Sequence, residues 1–301
     1  MNSTLKNSDV KFCDGFAAII DEFDGFILDL WGVIHNGVEP LPGSVDCMKE
    51  LRRSGKPVTL LSNAPRRVHS TVAKLREMGV DDDLYDHILT SGEETWLSMK
   101  NRTDVWYSKL GRVAYHIGKG GADKDSDMRE DLANTEFTDN VKEAEFVLLT
   151  GTTDSAHQVE DYRQVLEAAA SRSLPMICAN PDLVVIRGTN REICAGTLAE
   201  FYEGLGAEVR YHGKPYESVY RTCCEMMELP FSPKVVGVGD SLKTDVHGAK
   251  NAGLSSVFIA GGIYAEPMGI KAGEQPSQGA FSKVAAAYDH LPDYVMPMFA
   301  L

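Results

Sequence analysis

The sequence predicts an α/β protein with mainly parallel sheets and a second α/β domain inserted in the middle of the chain. Short apolar runs alternate with longer amphipathic stretches over most of the 301 residues. Strands and helices that alternate in this way form βαβ units and parallel sheets. In addition, polar side chains suited to chemistry follow apolar runs near both ends of the chain, but not in its middle. This arrangement predicts one doubly wound sheet built from both ends of the chain.

The predicted strands are short strand-like runs that alternate with longer helix-like stretches. In chain order the predicted strands are Phe26–Leu30, Val58–Leu61, His87–Thr90, Arg112–Ile117, Phe146–Thr150, Met176–Ala179, Glu208–Tyr211, Lys234–Val238 and Ser256–Ile259. Longer stretches between them are predicted to be helices: Gly43–Ser54, Arg66–Met78, Gln158–Ser171, Ala195–Gly204, Glu217–Met227 and Thr244–Ala252. After Gly261 the chain is rich in Gly, Pro and Ser, so we expect a loop there, followed by a last helix at Ala280–His290.

We expect residues 1–91 and 191–301 to form the core domain and residues 92–190 to form the inserted domain. Asp29 and Ser62 follow early apolar runs, and Lys214 and Asp240 follow late ones. Because ligands of open α/β sheets bind at the carboxyl ends of the strands, these four residues are expected to meet at one sheet edge.

Composition excludes several classes of partner. The formal net charge of −14 disfavours nucleic-acid binding, which depends on Lys and Arg. No apolar run is long enough to span a bilayer, and the polar Met1–Ser8 segment lacks the apolar core of a signal peptide. The six cysteines show neither C-x-x-C pairs nor zinc spacing. We therefore expect a cytoplasmic protein with reduced thiols and no membrane or nucleic-acid partner.

The residues that follow the two early strands suggest a nucleophile and an anion site. Asp29 follows a buried apolar run, where its carboxylate can attack an electrophile. Ser62 and Asn63 follow the second run and precede a predicted helix, so a hydroxyl, an amide and backbone N–H groups can hold an anion. Each feature alone is also common at ordinary helix caps and turns.

The residues that follow the two late strands suggest a charge-neutralising lysine and a metal site. Lys214 stands between a glycine and a proline, just after a strand, where its ammonium can neutralise Asp29 and a phosphoryl group. Asp240 and Asp245 lie five residues apart across a strand-to-helix turn. Mg²⁺ prefers such oxygen ligands and binds through one or two carboxylates together with substrate phosphate. With Asp29 and the Ser62 site, these groups suit phosphoryl transfer.

The four strand ends, in this order, resemble the motifs of the haloacid dehalogenase superfamily of hydrolases. The segments "LLSNAPR" (Leu60–Arg66), "ILTSGEET" (Ile88–Thr95), "ICANPD" (Ile177–Asp182) and "GKP" (Gly213–Pro215) are similar to those of subclass IIA, the NagD-like and 4-nitrophenylphosphatase-like enzymes. The resemblance covers nearly the whole chain. It implies a Rossmann-like core, a large α/β cap between the second and third motifs, a Mg²⁺ cofactor and a small phosphorylated metabolite as substrate. It also implies a possible homodimer.

The resemblance assigns roles to the motif residues. It implies that Asp29 is the nucleophile, that Ser62 and Asn63 bind the phosphoryl oxygens, and that Lys214 stabilises the charge. Mg²⁺ would be held by Asp29, Asp240 and the main-chain carbonyl of Trp31, with Asp245 acting indirectly. In the predicted cap, Asn180 and Asp182 end a strand and can face the substrate, although Asn-Pro-Asp is also a good turn former.

The first motif departs from the superfamily pattern. Phosphatases of the superfamily usually carry a second Asp two residues after the nucleophile, as acid and base, but this chain has Trp31 there. An indole N–H is a donor only. Loss of a general acid–base group costs about 10²–10⁴-fold in rate. His35 is a candidate substitute, whereas Asp24 lies at the far end of the strand.

Three functions stay open from the sequence. The first is a Mg²⁺-dependent phosphatase, slowed by Trp31, that acts on sugar phosphates, nucleotides or aryl and acyl phosphates. The second is a metal-independent dehalogenase-like hydrolase, since superfamily dehalogenases also place an aromatic residue two after the nucleophile. Asp240 and Asp245 argue against it. The third is a non-catalytic protein that binds a phosphorylated metabolite.

Overall fold

The computed structural model of the protein describes residues 10–102, 104–119, 126–187, 190–271 and 273–301. The polar Met1–Ser8 segment lies outside these residues. The strands are β1 (Lys11–Phe12), β2 (Gly25–Leu28), β3 (Val58–Ser62), β4 (His87–Thr90), β5 (Val113–Ile117), β6 (Glu136–Thr138), β7 (Phe146–Leu149), β8 (Met176–Cys178), β9 (Val184–Arg187), β10 (Asn190–Ile193), β11 (Val209–Tyr211), β12 (Val235–Gly239), β13 (Ser255–Ile259) and β14 (Tyr294–Met296).

The α-helices are α1 (Ser44–Arg53), α2 (Val68–Glu77), α3 (Ser91–Asn101), α4 (Val105–Ser108), α5 (Val159–Ser171), α6 (Ala195–Gly204), α7 (Glu217–Met226), α8 (His247–Asn251), α9 (Ala265–Met268) and α10 (Gln278–Ala285). A π-helical turn, Leu242–Val246, leads into α8. Every predicted strand and helix is present, with bounds shifted by a few residues. The last predicted helix ends early, at Ala285, and is followed by β14, which the sequence analysis missed.

The chain forms two compact units, and the first is built from both ends of the chain. It contains Met1–Ser62, Val72–Leu89 and Lys214–Leu301. Its seven-stranded sheet has the order β1-β14-β13-β12-β2-β3-β4. If β1 is set aside, this is the 3-2-1-4-5-6 order of the Rossmann fold, so the predicted Rossmann-like core is confirmed. The strand order reverses between β2 and β12, which pair in parallel.

The central strands of this sheet are buried, and apolar side chains pack against them. All four residues of β2 and all five of β12 are buried, as expected for parallel strands covered on both faces. Helices α7 and α8 pack on the sheet through an apolar cluster that includes Ile27, Leu61, Val219, Cys223 and Ala249. Burial of each large apolar side chain contributes about 1.5–3 kcal/mol before entropy costs.

The second unit contains Asn63–Thr71 and Thr90–Gly213. Its sheet has the order β11-β8-β7-β5-β6, and all four strand pairs are parallel. Helices α5 and α6 cover this sheet through Tyr162, Leu166, Leu198 and Tyr202. A separate antiparallel hairpin joins β9 and β10.

The second unit extends further along the chain than the predicted 92–190. We expected residues 191–301 to belong to the core domain, but β11 pairs with β8 and α6 packs in the second unit. The chain therefore returns to the first unit at Lys214 rather than at residue 191. In sequence, α6 and β11 resemble one more helix and strand of the core, and this resemblance predicts the earlier boundary.

Among the described residues, every helix is too short or too polar to span a membrane. The six cysteines are all free, as the sequence analysis predicts.

Candidate active site

Asp29 lies at the point where the strand order of the first sheet reverses. It directly follows β2, and its backbone N–H donates to the carbonyl of Val238 on β12 at 2.9 Å. The Asp29 side chain is buried. On the other side of β2, Ser62 is the last residue of β3 and is also buried. The fold therefore places the predicted nucleophile where open α/β sheets bind ligands.

Lys214 connects two of the carboxylates at this edge. Its Nζ lies 2.6 Å from Asp29 Oδ1 and 2.7 Å from Asp245 Oδ1. The lysine is buried, with 3% of the residue exposed. Removing a charge from water is costly unless it is paired, so this ammonium depends on both carboxylates. The predicted neighbourhood of Asp29, Lys214 and Asp245 is therefore present.

Asp245 is held by the π-helical turn that follows β12. The backbone N–H of Ser241 donates to its Oδ2 at 3.1 Å, and the Tyr220 hydroxyl donates to its main-chain carbonyl at 3.1 Å. Burial raises the pKa of Asp245 to about 6, although Lys214 opposes this rise. Single π turns inside helices are rare and frequently occur at functional sites.

Asp240 is the third buried carboxylate. Its Oδ2 accepts a hydrogen bond from the backbone N–H of Ile263 at 3.0 Å. Gly32 lies against this carboxylate, since a Cβ added there would be 2.1 Å from Asp240 Oδ2. Gly32 also has a φ of +78°, which other residues rarely adopt. Burial, and then the negative charges of Asp29 and Asp245, raise the pKa of Asp240 well above its ordinary value.

These carboxylates fit a divalent cation. One oxygen from each of Asp29, Asp240 and Asp245 lies within 4.8 Å of the others, and all three residues are buried. Lys214 supplies one positive charge, so two negative charges are unbalanced within this set of four side chains. Burial is the main cause of the raised pKa of Asp240, and the negative charges of Asp29 and Asp245 add to it. Hard carboxylate oxygens and excess negative charge suit Mg²⁺, which the sequence analysis predicts.

Trp31 lies in the loop that follows β2, and its indole ring packs on other residues of the same loop. A Cβ added at Gly37 would lie 2.2 Å from Cη2 of the indole, so the ring rests directly on that glycine, which has a φ of +87°. The ring of His35 meets the indole edge to face, with 5.5 Å between centroids. The indole is therefore held in a defined position by packing contacts within this loop.

His35 is poorly suited to replace the missing acid. It is buried, and its Nδ1 accepts a hydrogen bond from the backbone N–H of Gly37 at 3.0 Å. Burial lowers its pKa to about 4, so the imidazole is neutral near pH 7. It cannot serve as a cationic acid there.

The other predicted substrate-binding residues come together in the second unit. Asn63 Nδ2 donates to Asp182 Oδ1 at 2.8 Å. Asn180 Oδ1 accepts the backbone N–H of Asp182 at 3.0 Å, which is the local turn that the sequence also allows. Asn63 directly follows Ser62, so the end of β3 leads straight into this group.

The structure adds groups that the sequence analysis did not select. Gly32 and the backbone N–H of Ile263 shape the Asp240 environment, and Tyr220 supports the turn that carries Asp245. The Gly261-Gly262 pair that precedes Ile263 follows β13 after one residue, Ala260, and was an available signal. The position of Tyr220 carried no such signal in the sequence, because a tyrosine on an amphipathic helix is usually a packing residue.

Models of known protein families match this chain over the residues that form the site. A family model described as haloacid dehalogenase-like hydrolase matches residues 93–253, more than half of the chain. A second model with the same description matches residues 26–130, and one described as HAD-hydrolase-like matches residues 211–297. Together the three models include every motif residue discussed above.

Individual relatives agree with the family models. The chain is 26% identical to a 4-nitrophenylphosphatase of Schizosaccharomyces pombe, over 83% of this chain and 88% of the relative. It is 25% identical to the ribonucleotide monophosphatase NagD of Escherichia coli K12, over 79% and 87%. A solved haloacid dehalogenase-like hydrolase from Brucella suis superposes with a TM-score of 0.79 at 29% identity, over 95% and 99%. The chain therefore belongs to the haloacid dehalogenase-like hydrolases, among their NagD-like and 4-nitrophenylphosphatase-like members.

Proposed function

We propose that the protein is a Mg²⁺-dependent phosphatase that hydrolyses small phosphomonoesters through an aspartyl-phosphate at Asp29. One observation carries this proposal. Asp29 lies 2.6 Å from the buried Lys214 ammonium and shares the sheet edge with Asp240 and Asp245. The phosphatase names of two relatives that span most of the chain support the reaction class.

The proposed first step transfers the phosphoryl group to the protein. A carboxylate oxygen of Asp29 forms a bond to phosphorus while the bond from phosphorus to the ester oxygen breaks, and the leaving group departs as its oxyanion with the electron pair of that bond. Lys214 offsets the charge of Asp29 and of the phosphoryl oxygens, and Ser62 and Asn63 donate hydrogen bonds to them. Water then cleaves the aspartyl-phosphate and regenerates Asp29.

The proposed metal site uses the same edge. Asp29, Asp240 and the main-chain carbonyl of Trp31 would hold Mg²⁺, with Asp245 orienting Lys214 and a water ligand. When bound, the ion supplies positive charge that neutralises the phosphoryl oxygens. The position of Gly32 against Asp240 supports the role of the Trp31 carbonyl, because it puts this peptide beside the carboxylate.

Trp31 determines the substrate preference within this proposal. The indole can neither protonate a leaving alkoxide nor activate water near neutral pH. Neutral His35 does not replace the acid. We therefore propose that the enzyme turns over slowly and favours good leaving groups, such as aryl and acyl phosphates, over simple alkyl esters.

The second unit is proposed to be the cap that selects the leaving group. Asn63 and Asp182 are already hydrogen bonded to each other, and Asn180 is turned toward Asp182. Relatives named for 4-nitrophenyl phosphate and for ribonucleotides indicate that small phosphorylated metabolites of different shapes are candidate substrates. A cytoplasmic homodimer remains the prediction for the assembly and its location.

A paired assay tests the proposal. Purified wild-type protein and Asp29→Asn are compared on 4-nitrophenyl phosphate and ribonucleoside monophosphates, with Mg²⁺ and with EDTA. Asp24→Asn is the control, since it makes the same change at an exposed residue before the same strand. We expect turnover that needs Mg²⁺, survives Asp24→Asn and falls by at least about 10³-fold in Asp29→Asn.

Other outcomes would contradict the proposal. Phosphatase activity that Asp29→Asn retains would remove Asp29 from the mechanism. Halide release that survives EDTA would favour the dehalogenase-like alternative. Ligand binding without turnover would favour the non-catalytic one.

A further inference from the structure

The second sheet has a reversal of strand order of its own. In chain order its strands are β5, β6, β7, β8 and β11, and they lie in the order β6-β5-β7-β8-β11. This is the 2-1-3-4-5 order of flavodoxin-like sheets, whose ligands bind where the order reverses, between the first and third strands. In this protein that point lies between the carboxyl ends of β5 and β7. The proposed phosphatase mechanism uses nothing at this point.

Arg129 is held beside this point, over the pair that β5 makes with β6. Its Nε donates to Nδ1 of His116, on β5, at 2.8 Å. Its guanidinium also lies over the ring of Phe137, 5.1 Å from the centroid. Among the described residues no carboxylate pairs with Arg129, although the residue is exposed. Arg129 is therefore anchored by one nitrogen and one face, and within the part of the chain that the structure describes no hydrogen bond occupies its terminal amino groups.

The His116 imidazole is a fixed support for this arginine. Because a guanidinium only donates, Nδ1 of His116 must be the acceptor and its Nε2 carries the proton. Nε2 then donates to Oγ1 of Thr150, which directly follows β7, at 2.8 Å. Burial, with the Arg129 charge, lowers the pKa of His116 to about 3, so the ring stays neutral. The two hydrogen bonds therefore run in one direction: Arg129 donates to His116, and His116 donates to Thr150. This series links the ends of β5 and β7.

The geometry points to an oxyanion-binding site at this reversal, with Arg129 as the residue that binds a carboxylate or phosphate group. An arginine whose Nε is anchored presents its two terminal amino groups as a fork, which matches the two oxygens of a carboxylate or phosphate. This inference goes beyond the proposed phosphatase activity, since binding at Arg129 does not require Asp29 or Mg²⁺. The oxyanion is either a second acidic group of the substrate or a separate ligand.

Arg163 offers a matched control. It also stacks on a phenylalanine of the second unit, Phe201, at 4.9 Å. However, it faces two carboxylates on its own helix, Glu160 at 3.8 Å and Glu167 at 3.7 Å. Its charge is thus already matched by these carboxylates.

Calorimetric titration of the full-length protein with inorganic phosphate, in EDTA and at low salt, tests the inference. We expect Arg129→Gln to weaken phosphate binding about tenfold or more, the effect of losing charge-assisted hydrogen bonds, and Arg163→Gln to leave it unchanged. Equal affinity of wild-type and Arg129→Gln for phosphate, or no binding by the wild type, would overturn it. Because the titration involves no turnover, its result is independent of whether the phosphatase proposal holds.

A second arm identifies the source of the oxyanion. With Mg²⁺, the KM values of 3-phosphoglycerate and glycerol 3-phosphate are compared, since the two differ in one carboxylate. If Arg129→Gln raises KM only for 3-phosphoglycerate, the site binds the substrate's second acidic group. If phosphate affinity falls but neither KM changes, it takes a separate anion. Failure of the phosphatase proposal would appear as no turnover in any variant and would leave the phosphate titration unaffected.

Discussion

The two parallel sheets of this protein place polar side chains at equivalent points and give them opposite charge. In the first sheet, the reversal between β2 and β12 carries three buried carboxylates and one lysine. In the second sheet, the reversal between β5 and β7 carries a hydroxyl, a neutral imidazole and an arginine without a carboxylate partner among the described residues. The fold determines where these side chains lie, whereas the residue types at the strand ends determine the charge of each sheet edge.

The difference has an energetic consequence. At the first edge, burial and then the negative charges of Asp29 and Asp245 raise the pKa of Asp240, so this edge is under electrostatic strain unless a cation is present. At the second edge, the hydrogen-bonded set of Thr150, His116 and Arg129 carries a single charge, that of Arg129, which is exposed to water. We therefore expect changes at the first edge to have the larger effects.

Lys214→Met is expected to have the largest effect. It leaves Asp29 and Asp245 buried without their shared ammonium, and breaking a buried ion pair typically costs about 3–5 kcal/mol of unfolding free energy. Activity should be lost as well. Lys250→Met is the control, because Lys250 pairs with Asp293 at 2.9 Å but both side chains are partly exposed. Such a pair is worth at most about 1 kcal/mol. Similar urea denaturation midpoints for both variants would contradict the account.

Trp31→Asp is expected to accelerate turnover of alkyl phosphates. It restores a carboxyl group two residues after Asp29, and a positioned acid–base group contributes about 10²–10⁴-fold. The gain should be smaller for 4-nitrophenyl phosphate, whose leaving group needs less protonation. Trp31→Phe controls for loss of the indole and should not gain activity. If kcat for alkyl esters does not rise in Trp31→Asp, the missing acid is not what limits the enzyme.

Stabilisation by Mg²⁺ is expected to increase with pH. The ordinary pKa of Asp245 is 3.8, and its folded-state value is about 6. Its contribution to the stability of the metal-free protein is therefore fully present below pH 3.8 and is lost as pH rises through about 6. Since Mg²⁺ needs ionised carboxylates, the ion restores stability above this range.

Differential scanning calorimetry measures this effect. At a free Mg²⁺ concentration of about 100 Kd, the expected stabilisation is about 2.7 kcal/mol near neutral pH and much less near pH 5. Asp240→Asn should abolish the Mg²⁺-dependent rise in Tm. A rise of equal size at both pH values, or one that Asp240→Asn retains, would show that the ion binds elsewhere.

Sequence patterns predicted the parts of the first site that follow strands. Asp29, Ser62 and Asp240 each directly follow or end an apolar run, and the side chain after such a run must lie at the sheet edge. Lys214 was predicted for the same reason, although its strand, β11, belongs to the second sheet. The strand end was therefore informative even though its sheet was assigned wrongly.

Features that depend on contacts distant in the chain could not be predicted. β1 and β14 have two and three residues, so no periodicity distinguishes them from loops, and only their parallel pairing makes them strands. The seat of Trp31 depends on the positive φ of Gly37, and the pairing of Arg129 with His116 joins residues that no local pattern links. These details arise from tertiary packing.

Trapping of the phosphorylated protein tests the central claim most directly. Wild-type protein mixed with 4-nitrophenyl phosphate and Mg²⁺ is quenched in acid, digested and analysed by mass spectrometry. Because Trp31 cannot activate water, the aspartyl-phosphate should accumulate, and the peptide that contains Asp29 should gain the mass of one phosphoryl group. Trp31→Asp should reduce this gain, and Asp29→Asn should abolish it. Turnover without a phosphoryl group on Asp29, or with one on another residue, would contradict the account.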